Sequence, residues 1–112
     1  MRLAAIAIGC ALATGAAAET VVDDSAARVD ADKLKGAIAR LSQEMRDPSS
    51  IQVRNVAPSR LYPQNLICGE YNAKNLYGTY VGFRRFYSNG EALMIEENDP
   101  ISKASFSGSG CS

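Results

Sequence analysis

Cys68-Gly69-Glu70-Tyr71-Asn72-Ala73-Lys74-Asn75-Leu76-Tyr77-Gly78-Thr79-Tyr80-Val81-Gly82-Phe83-Arg84-Arg85-Phe86 is the stretch on which the fold turns. Its ends are strand-like and its middle is polar. Residues 66–71 and 79–87 read as strands, because β-branched and aromatic residues suit a pleated, half-buried surface. Asn72-Ala73-Lys74-Asn75 between them is turn-like, since Asn tolerates positive φ and closes Asx-turns. Gly69, Gly78 and Gly82 within strand-like sequence signal bulges or a close approach of backbone, such as a helix crossing would need.

Working outward, Ser88-Asn89-Gly90-Glu91 predicts a hairpin, because Asn-Gly between two strand-like runs favours a type I′ turn. With Asn89 and Gly90 as the only loop residues, Tyr87 faces Ala92, Phe86 faces Leu93, Arg85 faces Met94 and Arg84 faces Ile95. The sheet ends near residues 96–100. Beyond it the Ser- and Gly-rich tail offers Ile101 and Phe106 for burial, and Cys111 to tether it. Upstream, Ile51 and Val53 alternate with Gln52 and Arg54 as a half-buried strand does. Pro58 and Pro63 bracket an irregular connection to the next strand.

Residues 31–46 carry the helical signal. Asp30 is a competent N-cap, Asp32 suits the first turn and Arg46 the last. Leu34, Ile38, Leu41 and Met45 recur at spacings of four, three and four, which lines one face for a core. Asp47-Pro48 stops the helix, because proline drives the preceding residue out of the α region. The fold class is therefore α+β: one amphipathic N-terminal helix packed on an antiparallel sheet of about four strands, with one disulfide.

The first eighteen residues read as a secretory signal peptide. Met1-Arg2 supplies a short positive region, residues 3–12 an apolar run, and Ala16-Ala17-Ala18 a small-residue cleavage site before Glu19. An apolar run of about ten residues is too short to span a bilayer, which takes about 20. Ala7-Ile8-Gly9-Cys10 loosely resembles a lipidation site, but a lipid anchor at Cys10 would leave a truncated apolar run, and a cysteine inside a discarded signal is the preferred reading. Residues 19–29 then form a leader, and residues 30–112 a single small domain. Asp23-Asp24 in that leader is read as a solvated helix start and not as a metal site. Cleavage leaves Cys68 and Cys111 as the thiols of the remaining chain. An even pair in a small exported domain implies a disulfide and a periplasmic or secreted location.

Twelve basic and twelve acidic side chains balance over the 112 residues. Such neutrality argues against nucleic acid as a partner, since that binding rests on the release of counterions by many cations. The chain has no histidine. With both cysteines oxidised, Ser-His-Asp and Cys-His catalysis and the usual zinc sites fall away. Glu70 is the one acid in the central stretch, so the paired carboxylates of a glycosidase are not in evidence. Gly78-Thr79-Tyr80-Val81-Gly82 lacks the Gly-Lys-Ser/Thr ending of a phosphate loop. No enzyme, metal or cofactor is implied.

Arg84 and Arg85 are adjacent on a strand and point to opposite faces, so they cannot act as one clamp. The expectation is one arginine in solvent and one along apolar surface. The aromatic residues Tyr71, Tyr77, Tyr80, Tyr87, Phe83 and Phe86 fit either a binding platform or the core of a sheet without tryptophan. Phe83 or Phe86 suits the core, and Tyr77 beside the loop is the exposed one. Binding is expected at Asn72, Lys74, Asn75 and Tyr77, with Glu70 beside them, because binding residues concentrate on loops held by rigid scaffolds. The competing reading is that Asn72 and Asn75 simply close the turn.

Asp47-Pro48-Ser49-Ser50, Val53-Arg54-Asn55, Cys68-Gly-x-x-Asn72-x-Lys74-Asn75, Gly78-x-Tyr80-x-Gly82-Phe83 and Phe86 together resemble an uncharacterised family of small exported Gram-negative bacterial proteins. The resemblance covers about residues 30–97 and implies a compact α+β domain outside the cytoplasm. The resemblance brings no activity with it; export, small size, a disulfide and a polar loop held between strands point to two functional classes. One is a binding or inhibitor module recognising an envelope protein or envelope polymer; the other is a structural accessory subunit of an envelope assembly, with an enzyme a distant third.

Overall fold

The computed structural model describes residues 20–112; the stretch read as a signal peptide, Cys10 included, lies outside the described residues. Four strands form one antiparallel meander in chain order: β1 (Gln52–Pro58), β2 (Ile67–Asn72), β3 (Arg84–Ser88) and β4 (Leu93–Ile95). Helix α1 (Ala31–Glu44) precedes them and helix α2 (Pro100–Ser109) follows. Among the described residues, no helix is long and apolar enough to cross a membrane.

Period-two alternation assigns the sheet two different faces. Val53, Ile67, Tyr71 and Phe86 are buried on one face, together with Leu34, Ala37 and Leu41 of α1. Ile38 and Met45 pack at the margin, so the four helical positions expected to face the sheet do so. Asp30 accepts from the Lys33 amide and caps α1. Gly69 lies opposite Phe86. A Cβ there would stand 2.7 Å from the Phe86 ring and 2.8 Å from Val56, so the absence of a side chain admits the ring. The helix makes its own closest approach elsewhere, at Gly36, where a Cβ would meet the Gly90 carbonyl.

The opposite face carries Arg54, Glu70, Arg85, Cys68 and Tyr87. Helix α2 covers its Cys68–Tyr87 end: Phe106 is fully buried, its ring 4.9 Å from that of Tyr87. Cys68 is bonded to Cys111 just beyond α2, with 5.4 Å between Cα atoms. The loop closed by that bond spans 43 residues, which constrains the unfolded chain by about 4 kcal/mol on the entropy model.

Four expectations need correction. The Ser- and Gly-rich tail is a helix, started by the Asp99 side chain accepting from the Ser102 amide with Pro100 behind it, and ended by Gly110 at φ 78°. Ile101, expected to be buried, is 83% exposed. The strand placed at 79–87 begins only at Arg84, since Gly78 and Gly82 hold positive φ and residues 73–83 form a loop. The hairpin pairs Phe86 with Ile95, Tyr87 with Met94 and Ser88 with Leu93, two residues out from a two-residue turn. Type I′ needs positive φ at both central residues; Gly90 has it and Asn89 does not. Asn89 instead accepts from the Glu91 and Ala92 amides, while Ser88 donates to the Ala92 carbonyl, closing a four-residue loop. A shift of two preserves which side chains share a face.

Upstream of α1, Val21 is buried and bridges Val53 in parallel. Asp23 accepts from Ser25 and from the Asn55 amide, at a bulge in β1 where Asn55 has φ 54°. Residues 21–28 are thus strapped along the β1 edge. Helix α1 rests on the sheet chiefly through Leu41, which is fully buried. Leu41→Ala is expected to cost about 2–5 kcal/mol in denaturant unfolding; a change within about 0.5 kcal/mol, as at surface sites, would place the helix wrongly.

Candidate binding site

Strand β2 delivers the chain into the loop 73–83, and one side chain gathers both ends of it. Asn72 is buried, and its Oδ1 accepts from the Ala73 amide and from the Gly82 amide, each at 3.0 Å. Inside the loop, Asn75 Oδ1 accepts from the amides of Tyr77 at 2.9 Å and Thr79 at 3.1 Å. The Asn75 amide donates to the Thr79 carbonyl, the Gly78 amide to that of Asn75, and Lys74 pairs with Tyr80. Two asparagines therefore organise the loop from within.

The loop also leans on the short 3-10 turn Pro48–Ser50. Ser50 Oγ accepts from the Lys74 amide, and the Tyr80 hydroxyl donates to the Ser50 carbonyl, both at 2.8 Å. With polar backbone groups occupied in this way, apolar side chains point out: Leu76 is 63% exposed, Tyr77 85% and Val81 64%.

A cleft of about 220 Å³ opens beside the loop, where α1 ends over the sheet. Tyr71, Ala73, Met45 and Val81 supply its apolar surface, and Arg46, Lys74, Arg84 and Glu44 its charges, with Asn75 at the loop side. Arg84 donates to the Glu96 carbonyl and to the Glu97 carboxylate, and Glu44 pairs with Arg40. Arg46 and Lys74 have no carboxylate partner among the described residues; the Lys74 ammonium stands 5.6 Å from the centre of the Tyr80 ring. Burial pushes the Tyr71 phenol up, opposed by Arg84, so it is a neutral hydroxyl at physiological pH. A broader hollow of about 550 Å³, bordered by Lys33, Tyr62, Asn65, Leu66 and Asn89, holds one cation and none of the expected binding residues.

The expected set is thus divided. Lys74 and Asn75 line the cleft, Tyr77 is exposed on the same loop, and Asn72 is buried with its oxygen engaged. Glu70 is on the other face of the sheet, where Oε1 accepts from Arg54 Nε at 2.7 Å and Asn55 Nδ2 at 3.1 Å. Arg46, Val81 and Arg84 were not singled out as binding residues by sequence. Arg84 stands out in the sequence only as half of an adjacent arginine pair, Arg46 only as the last-turn cation of the helix, and Val81 only by its proximity to the loop. Among the described residues, no group of three or more His, Cys, Asp or Glu side chains is placed to hold a metal.

Compared with protein-family models, curated proteins and solved structures, the chain matches none.

Glu70 belongs to a row of charges that runs from β1 to just beyond β4: Arg54 to Glu70, and Arg85 to Glu96 at 2.6 Å. Arg54 also covers the Phe83 ring, 3.6 Å from its centre, and Arg85 lies 5.2 Å from that of Phe106. The Arg85 hydrogen bond holds the Glu96 carboxyl below its ordinary value of 4.5. A depressed carboxyl stabilises the fold in full above the unfolded value, and that contribution is lost as pH falls through the lower folded value. Thermal stability should therefore drop more steeply below pH 4.5 in the parent protein than in Glu96→Gln. Identical slopes in a pH series of melting curves would contradict the pairing.

Proposed function

We propose that this chain is a small exported binding module of the cell envelope that recognises a partner protein through the loop 73–83. The observation that carries the reading is the exposure of Leu76, Tyr77 and Val81 on a loop whose backbone is fixed by Asn72 and Asn75. Exposed apolar side chains rimmed by polar groups are characteristic of interaction sites, and a loop already in its final shape loses little entropy on binding. The cations Arg46 and Lys74 stand at the side of that surface and add selectivity for an acidic partner.

Export rests on the first eighteen residues and is supported by the disulfide, which persists in an oxidising compartment. A periplasmic or secreted location accords with the resemblance carried by Cys68 to Phe86. Tyr77 is the natural anchor: tyrosine presents a large rigid surface at small entropic cost and is enriched in binding hot spots.

Lys74→Ala combined with Tyr77→Ala is expected to abolish capture of the native partner from an envelope extract. Tyr77 is exposed, and Lys74 is half-buried at the cleft and outside the core, so unfolding free energy should change by no more than about 0.5 kcal/mol. Capture at parental levels by the folded double variant would rule the loop out as the recognition surface.

A further inference from the structure

The cleft beside the loop has a chemistry of its own, and its occupant is deduced on the premise that the loop is a recognition surface. Its volume of about 220 Å³ falls short of the roughly 300–1,000 Å³ that encloses a whole small ligand. It matches one side chain of something larger. Met45, Ala73, Val81 and the Tyr71 ring offer that side chain apolar contact. Arg46 and Lys74 stand on the same cleft without a carboxylate of their own, whereas Arg84 is already occupied by Glu97 and the Glu96 carbonyl.

We infer that this cleft takes an apolar side chain of a partner polypeptide together with an adjacent carboxylate, which is held by Arg46 and Lys74. The charges set the sign of the ligand. Two unpaired cations favour an anion, and the one carboxylate on the cleft, Glu44, is paired with Arg40 at 3.8 Å, which reduces its repulsion of an incoming carboxylate. The apolar lining sets its form, because a strongly hydrated anion such as phosphate gains nothing from Met45 and Val81, while an aliphatic group bearing a carboxylate satisfies both. Leu76 and Tyr77, exposed on the loop that supplies Lys74, Asn75 and Val81 to the cleft, offer further apolar surface to neighbouring residues of an extended chain. A chain end and an acidic side chain both supply such a carboxylate, with the same recognition chemistry.

The test is titration of the isotope-labelled protein, followed by the backbone amide resonances of Arg46, Ala73, Lys74 and Val81. Three probes are used: N-acetylleucine, its neutral amide, and a C-terminally amidated tetrapeptide with aspartate beside leucine. N-acetylleucine should shift those resonances at millimolar concentration, the neutral amide should bind about tenfold more weakly or worse, and added salt should weaken the acid alone. Arg46→Gln with Lys74→Gln should lower affinity for the acid by about tenfold while leaving resonances outside the cleft in place. Binding of the aspartate peptide without N-acetylleucine assigns the carboxylate to a side chain, and the reverse assigns it to a chain end; both support the inference. Equal binding of acid and amide, or no shift with either carboxylate probe, overturns it. If the probes fail while partner capture still depends on Lys74 and Tyr77, the ligand chemistry is wrong and the recognition surface stands. If the acid seats in the cleft while capture ignores those residues, the recognition reading fails and the cleft chemistry stands.

Discussion

The period-two alternation of β2 is the constraint on which the rest of the molecule depends. Ile67, Gly69 and Tyr71 turn to the helix side, where two are large and the glycine between them admits the Phe86 ring. Cys68, Glu70 and Asn72 turn the other way and each ties down a different segment. Cys68 holds the end of α2, Glu70 engages Arg54 and Asn55 of β1, and Asn72 gathers the two ends of the loop. A one-residue slip of β2 would exchange the two sets and lose the core and all three ties at once. The strand is central in the sheet for the same reason: its neighbours on both sides are bound through its side chains as well as its backbone.

Helix α2 shows what the disulfide contributes. Its ten residues are rich in serine and include Gly108, and it has one large buried side chain, Phe106. Isolated helices of that length are marginal even when built from better formers. Fixation at both ends compensates: Asp99 and Pro100 start the helix, and Gly110 and Cys111 finish it against β2. With α2 in place, Phe106 meets Tyr87 edge to face and Arg85 lies along it. The second face of the sheet is thereby covered without a second apolar layer, by a helix at one end and paired charges at the other. Surface ion pairs are individually weak; their role here is to leave that face wet and its partners specified.

Much of the architecture could be read from residues with a single mechanical role. Asp30 and Asp47-Pro48 bounded α1, the 34, 38, 41, 45 spacing oriented it, and Cys68 and Cys111, the two cysteines beyond residue 18, named the disulfide. What was missed lay where local chemistry had two outcomes. Asn89-Gly90 favours a two-residue turn, but Ser88 and Asn89 together close a longer one, and the choice depends on hydrogen bonds that only the folded strands bring into range. The serine-rich tail hid a helix because serine is a poor interior residue, although Asp99-Pro100 and Gly110 marked its ends. At the binding surface, Lys74 and Tyr77 were visible as polar and aromatic residues on a loop. Arg46 and Arg84 were not, because they reach the cleft from the end of a helix and the start of a strand, and Glu70 was drawn in by sequence proximity although alternation sends it to the other face.

Asn72 and Asn75 proved to be fasteners, and that makes the surface around them fit for recognition. A loop closed by these two side chains and propped on Ser50 does not have to be ordered by a ligand, so exposed Leu76, Tyr77 and Val81 are presented in fixed positions. The most direct test is backbone relaxation of the unliganded protein across residues 73–83. Order parameters near 0.85, close to those of rigid backbone, are the result a preformed surface requires. Values below about 0.6 through residues 75–81 would mean that the loop is shaped only on binding, and would contradict it.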